Sequence, residues 1–209
     1  LLIKNFAILL IKISQKKVYK IIFHNKDDSD FFINKNICIR KNSIITFGSG
    51  VDLNFFKFSD FSNNKRTVFL FVGRILKNKG INEFIESSLL LKKKFPSIKI
   101  EVLGKYDPNN PSSISKKLYN QWKHNQDLHF HGFKEKSEVR DIIQESNCVI
   151  LPTYREGMPK SLMEASALGK PIITTNTTGA NQIVNEGKNG FLCKPKNVNS
   201  LLNSMIKFM

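Results

Sequence analysis

VFLFVGRILKNKGINEFIESSLLLKKKFPSIKIEVLG, residues 68–104, contains a complete strand–helix–strand unit. VFLFV (68–72) is five apolar, β-favouring residues ended by Gly73, the pattern of a strand covered on both faces in a parallel sheet. Ile81, Phe84, Ile85, Ser88, Leu89 and Leu91 then recur at helical spacing until Pro96 closes the helix. IKIEVLG (98–104) is the returning strand.

The alternation continues toward the C terminus. A Pro/Asn/Ser loop at 107–113 leads into a helix ending near Lys123, and LHFHGF (128–133) reads as a strand. Residues 135–146 read as a helix, NCVILP (147–152) as a strand, 160–168 as a helix closed by Gly169, and PIITT (171–175) as a strand. A helix near 180–186, a hairpin-like GKNGFLC (187–193) and a last helix from about 197 complete the pattern. Strands and helices alternating at this spacing predict an α/β protein, a Rossmann-like doubly wound parallel sheet.

Toward the N terminus the order is strand (KIIFHN, 20–25), short helix (DDSDFFIN, 27–34), strand (NSIITF, 42–47) and the turn Gly48-Ser49-Gly50. Residues 53–66, polar apart from their phenylalanines, read as a linker to a second Rossmann domain at 67–209. The chain starts at Leu1 without an initiator Met and ends at Met209 inside a helical pattern, so both edges read as cuts.

LLIKNFAILLIKI (1–13) is apolar but interrupted by Lys4, Asn5 and Lys12, and falls short of the roughly 20 residues that span a bilayer. Asn5, Lys12 and Lys16 share one stripe of a helical wheel. The segment reads either as a basic amphipathic helix on a membrane interface or as an ordinary core-facing helix. The net charge of +16 fits a polyanion partner, and also a lysine-rich composition spread over solvated faces. The phenylalanines fall mainly at core-period positions, so a nucleic-acid partner is not expected, whereas peripheral contact with an anionic membrane is. Cys38, Cys148 and Cys193 are distant and odd in number, as expected of thiols in a reducing cytoplasm; the inner face of the cytoplasmic membrane is the expected place.

In a doubly wound sheet, ligands bind beyond the carboxyl ends of the strands. VFLFV is followed by Gly73-Arg74 and then Lys79-Gly80, two cations across one turn at the start of a helix. That arrangement suits a departing diphosphate, or else is a strand end with solvated charges. NCVILP is followed by TYREGMPKSLME (153–164), where Pro159 fits a helix first turn. Glu156 then lies before the helix and Glu164 inside it. Such carboxylates can accept bonds from sugar hydroxyls, although the Glu-x7-Glu spacing alone also describes a capped helix with solvated acids.

VGRILKNKG, HFHGF and LPTYREGMPKSLMEASALGKPIITTNTTGANQIVNEGKNGFLC together resemble, in order and spacing, the C-terminal domain of family-4 retaining glycosyltransferases of the GT-B fold. The resemblance runs from about Ile44 to the end, with SGVD (49–52) at the junction of the family's two domains. It implies that residues 1–52 are the tail of an acceptor-binding domain and 67–209 a nucleotide-sugar-binding domain. It implies further that Arg74 and Lys79 stabilise the leaving nucleoside diphosphate beside Gly73. Glu156 would engage the transferred sugar, helped by the backbone at Gly157, Met158, Pro159 and Lys160. Ser161 and Leu162 would offer amides to the phosphates, Glu164 would hold the ribose, and Gly132 and Phe133 would lie by the base. The donor implied is a UDP-sugar, with an N-acetylhexosamine as one form, and the acceptor a cell-surface or polyprenyl-diphosphate-linked glycan.

Where the family commonly has a Glu after a glycine pair, this chain reads Gly179-Ala180-Asn181-Gln182, and the glycine-rich loop of the first domain is not in the chain. Asp28-Ser29-Asp30 matches a DxD metal signature but opens a helix, where acidic residues suit the dipole. With two cations and helix amides available, neither a metal nor another cofactor is expected. The alternatives are a UDP-sugar 2-epimerase of the same fold and a non-enzymatic basic polyanion-binding protein.

Overall fold

A computed structural model describes residues 2–58 and 66–209. The N-terminal segment runs α1 (Leu2–Ser14), β1 (Ile21–Phe23), α2 (Lys26–Asn34) and β2 (Ser43–Ile45), with β1 and β2 paired in parallel. No residue of α1 is buried among the described residues, so of the two readings of this segment the core-facing one finds no core contact here. Phe23 and Phe32 pack edge to face, 5.0 Å apart, and hold α2 on β1.

The rest of the chain is one six-stranded sheet, every pairing parallel. Its elements are β3 (Val68–Val72), α3 (Ile81–Lys94), β4 (Lys99–Leu103), α4 (Lys116–Lys123), β5 (Leu128–Gly132) and α5 (Lys136–Glu145). They continue with β6 (Cys148–Leu151), α6 (Lys160–Ala167), β7 (Ile172–Thr175), β8 (Gly190–Cys193) and α7 (Val198–Phe208). The strand order is β5-β4-β3-β6-β7-β8. The order therefore reverses between β3 and β6, the crevice where doubly wound sheets take ligands.

All five residues of β3 are buried, as its unbroken apolar run predicts. Helix α3 buries Ile81, Phe84, Ile85, Ser88 and Leu91, the i, i+3, i+4, i+7 set read from the sequence. On its other side α3 meets α7, where Ser87 and Met205 touch. Phe56, in the expected linker, is 1% exposed and belongs to this core, so the chain is anchored just before the large sheet begins. Residues 59–65 of that linker lie outside the described residues.

Two expectations fail locally. The helix near 180–186 is a single 3-10 turn, Asn181–Ile183. The Asn189 side chain takes the Ile183 carbonyl (2.9 Å) and the Asn185 amide (2.7 Å), backbone groups that a longer helix would have used. GKNGFLC is not a hairpin: after a turn at Gly187, β8 pairs in parallel with β7 and becomes the sheet edge.

Candidate functional site

The crevice between β3 and β6 is assembled by the loops that follow β3, β6 and β7. After β3, the chain passes Gly73 and Arg74 into a 3-10 turn, Lys77–Lys79, before α3 begins at Ile81. The Asn78 carbonyl in that turn accepts the Tyr154 amide at 2.9 Å and lies 3.1 Å from the Thr153 hydroxyl. Gly80 has φ 77°, and a Cβ there would stand 2.0 Å from the Pro152 carbonyl oxygen, so only glycine lets the two strand ends meet. The loop after β3 is thus tied to the loop after β6.

The principal consequence is an ion pair. Lys79 Nζ bonds Glu156 Oε1, with the side chains 20% and 16% exposed, neither sealed in nor free in solvent. The Thr153 hydroxyl lies 3.1 Å from the same carboxylate oxygen. From the loop after β7, the Thr178 carbonyl accepts the Glu156 amide at 3.3 Å. A Cβ on Gly179, at φ 78°, would fall 2.2 Å from the Gly157 oxygen and 2.3 Å from that of Glu156. The glycine therefore forms a floor under the loop.

Helix α6 points its N-terminus into the same crevice, with Pro159 as its cap residue. The Ser161 hydroxyl donates to the Val72 carbonyl at 3.1 Å, fastening the first turn of α6 to the end of β3. The Leu162 amide already donates to the Pro159 carbonyl at 3.1 Å, so it is less available to a ligand than the sequence suggested. Lys160 is exposed, and Glu164 is half-buried one turn further in. Burial raises the Glu164 carboxyl above the usual carboxylate range, and Lys160 and Lys136 only partly offset it.

Arg74 stands apart. Its guanidinium is 57% exposed and 3.8 Å from Asp107 of the β4–α4 loop, with no ion pair to Glu156. Gly132 ends β5, two strands from β3, and Phe133, just beyond it, is 69% exposed. The β3 and β6 loops thus bring Lys79 and Glu156 together, Ser161 ties the start of α6 to the end of β3, and Met158 packs toward Gly48.

Several participants were missed in the sequence. Asn78, Thr153 and Thr178 act through backbone or hydroxyl oxygens that no residue pattern marks, and Asp107 sits in a loop read only as Pro/Asn/Ser-rich. Tyr154 donates to Glu83 Oε1 at 2.7 Å, and burial with that carboxylate pushes the phenol pKa up. Asp28-Ser29-Asp30 diverges: Asp28 pairs with Arg155, Asp30 with Arg40, and Ser29 is buried against Ser43. The cap of α2 is Asn25 and not an aspartate of that triplet.

Residues 53–209 match the family model of glycosyl transferases group 1. The chain belongs to this family. Among its relatives, a Campylobacter jejuni N,N'-diacetylbacillosaminyl-diphospho-undecaprenol alpha-1,3-N-acetylgalactosaminyltransferase is 29% identical over 92% of this chain and 51% of its own length. The capsular polysaccharide biosynthesis glycosyltransferase CapM of Staphylococcus aureus is 32% identical over 88% of this chain and 47% of its own length. The chain spans about half the length of the curated relatives it matches. Anabaena Alr3699/HepE, solved in complex with UDP-glucose, superposes with a TM-score of 0.77 at 17% identity, covering 98% of this chain and 58% of that one. For this group 1 glycosyl transferase chain, that likeness establishes the GT-B fold. Among the described residues no helix is long and apolar enough to cross a membrane.

Proposed function

We propose that this chain binds a nucleotide-sugar donor, a UDP-sugar, across the carboxyl ends of β3 and β6, and serves a glycosyltransferase that transfers the sugar with retention. The observation that carries the reading is the Lys79–Glu156 pair, held half-open at the reversal of strand order beside the foot of α6. A diphosphate entering there exchanges one anionic partner of Lys79 for another and frees Glu156 for sugar hydroxyls. Arg74, exposed and only loosely paired, swings in as the second cation. The amides at the start of α6 face the phosphates, Glu164 holds the ribose, and Gly132 and Phe133 border the base. Leaving-group stabilisation by these groups requires no metal, and is the largest contribution this half makes to transfer.

The acceptor is a glycan, in its most specific form one linked through polyprenyl diphosphate. The relative that acts on a diphospho-undecaprenol substrate supports this, as does the capsular polysaccharide relative. An N-acetylhexosamine as the transferred sugar rests on the same support. Such an acceptor places the enzyme at the cytoplasmic membrane face. Calorimetric titration with UDP, GDP and ADP and their common sugars tests the pocket and the base: UDP and a UDP-sugar bind, and Lys79→Ala weakens both by about tenfold or more while leaving the melting temperature unchanged. In the complete enzyme the same substitution removes most turnover. Absence of nucleotide binding by the parent chain sinks the reading.

A further inference from the structure

The loop that carries Glu156 is held from the N-terminal segment, a side that no residue pattern marks. Asn25, at the end of β1, is fully buried, and its amide is completely used. Oδ1 accepts the Asp28 amide at 2.7 Å, and Nδ2 donates to Asp28 Oδ2 and to the Gly157 carbonyl, both at 2.8 Å. Ser, Thr or Asp would also cap α2. Asp has no donor for the Gly157 carbonyl, and a Ser or Thr hydroxyl is too short to cap the helix and reach that carbonyl together, so capping alone does not account for asparagine here.

The neighbouring contacts lie on the same loop. Arg155 pairs with Asp28 of α2. His24 packs beside Gly157, where an added Cβ would come within 3.7 Å of its own Cβ. Gly48, after β2, faces Met158 and Met163 so closely that a Cβ there would stand 2.7 Å from each. Residues 155, 157 and 158 are each held by the N-terminal segment, with Glu156 between them and Gly179 beneath.

We infer that Asn25 is a positioning residue that clamps the Glu156 loop and sets how tightly the sugar of the donor, as distinct from its nucleotide, is held. This rests on the nucleotide-sugar reading above. In that reading the nucleotide meets Lys79, the amides of α6 and Glu164, none of which bonds Asn25, whose partners are Asp28 and Gly157, so Asn25 acts on the sugar through the loop that carries Glu156.

The test uses Asn25→Ser, which keeps a capping oxygen but is too short to reach Gly157, and Asn25→Asp, which keeps length and cap but sets an oxygen against that carbonyl. UDP and UDP-glucose or UDP-N-acetylglucosamine are titrated by calorimetry, and amide exchange is followed across residues 154–158. Both variants are expected to bind UDP within about twofold of the parent and to lose about tenfold of the extra affinity for the UDP-sugar, as one buried hydrogen bond predicts. Exchange in the loop accelerates about as much, while β3 and β6 stay protected. Unchanged exchange at 154–158 overturns the clamp, and so does an equal loss for UDP and UDP-sugar. If the parent binds neither ligand, the nucleotide-sugar reading and the sugar role of Asn25 fall together, while the exchange measurement still decides whether the loop is clamped.

Discussion

Helix α1 and strand β3 are both strongly apolar, yet one is bare and the other sealed. Leu2, Ile3, Phe6, Leu9 and Ile13 of α1 are each more than half exposed, whereas Phe69, Leu70 and Phe71 of β3 are fully buried. The contrast extends to the regions around them. The N-terminal segment offers two three-residue strands, too little to form a core on its own. The C-terminal region stacks helices on both faces of six parallel strands. Apolar content therefore says that a segment seeks cover, and neighbours decide whether it finds any.

The largest effects follow from that contrast. Phe71→Ala is expected to cost about 3–5 kcal/mol in urea unfolding, the usual range for a sealed phenylalanine, whereas Leu9→Ala stays within about 0.5 kcal/mol. A comparable loss at Leu9 would show that α1 is covered in solution and would break the comparison.

Burial also sharpens the comparison through two carboxyls shifted in opposite directions. Glu101 donates nothing and accepts from His131 at 2.8 Å, and this bond holds its carboxyl below the usual range despite desolvation. A depressed folded pKa stabilises above the unfolded value, and the gain disappears as pH falls through the folded one. Glu101→Gln should therefore cost about 1 kcal/mol at neutral pH, and the gap to the parent should narrow as pH falls through the acidic range and the folded carboxyl takes up its proton. Glu164 is the reverse case, since burial raises its carboxyl. The folded state then holds the proton longer, so stability falls as pH rises through the folded pKa. Glu164→Gln should match the parent at low pH and exceed it at neutral pH by less than about 1 kcal/mol, as thermal melts at pH 3.5 and 7 would read.

The smallest effect lies where the regions touch. Arg155 is 68% exposed in its pair with Asp28. Arg155→Ala is expected to change stability by less than about 0.5 kcal/mol, with salt abolishing the difference. A larger loss would mark the contact between the regions as a true part of the core.

Much of the fold was legible because it is written locally. VFLFV announces a two-sided strand, Ile81 to Leu91 a helix, and their repetition a doubly wound sheet. The 180–186 segment misled because its apolar spacing is helical, while Asn189, several residues on, competes for its backbone. The site was legible in part. Lys79 and Glu156 were singled out and meet, while Arg74 turned to an aspartate that carried no motif.

From sequence alone came the α/β class and most of the order of elements, together with the charged residues at the strand ends. These depend on periodicities of two and 3.6 residues and on short spacings, which a linear chain displays directly. Tertiary structure alone decided that Lys79 reaches a carboxylate 77 residues away and that Asn25 reaches a carbonyl 132 residues away. Such contacts follow from which strands become neighbours and from where a glycine allows two backbones to meet, and no local pattern encodes either.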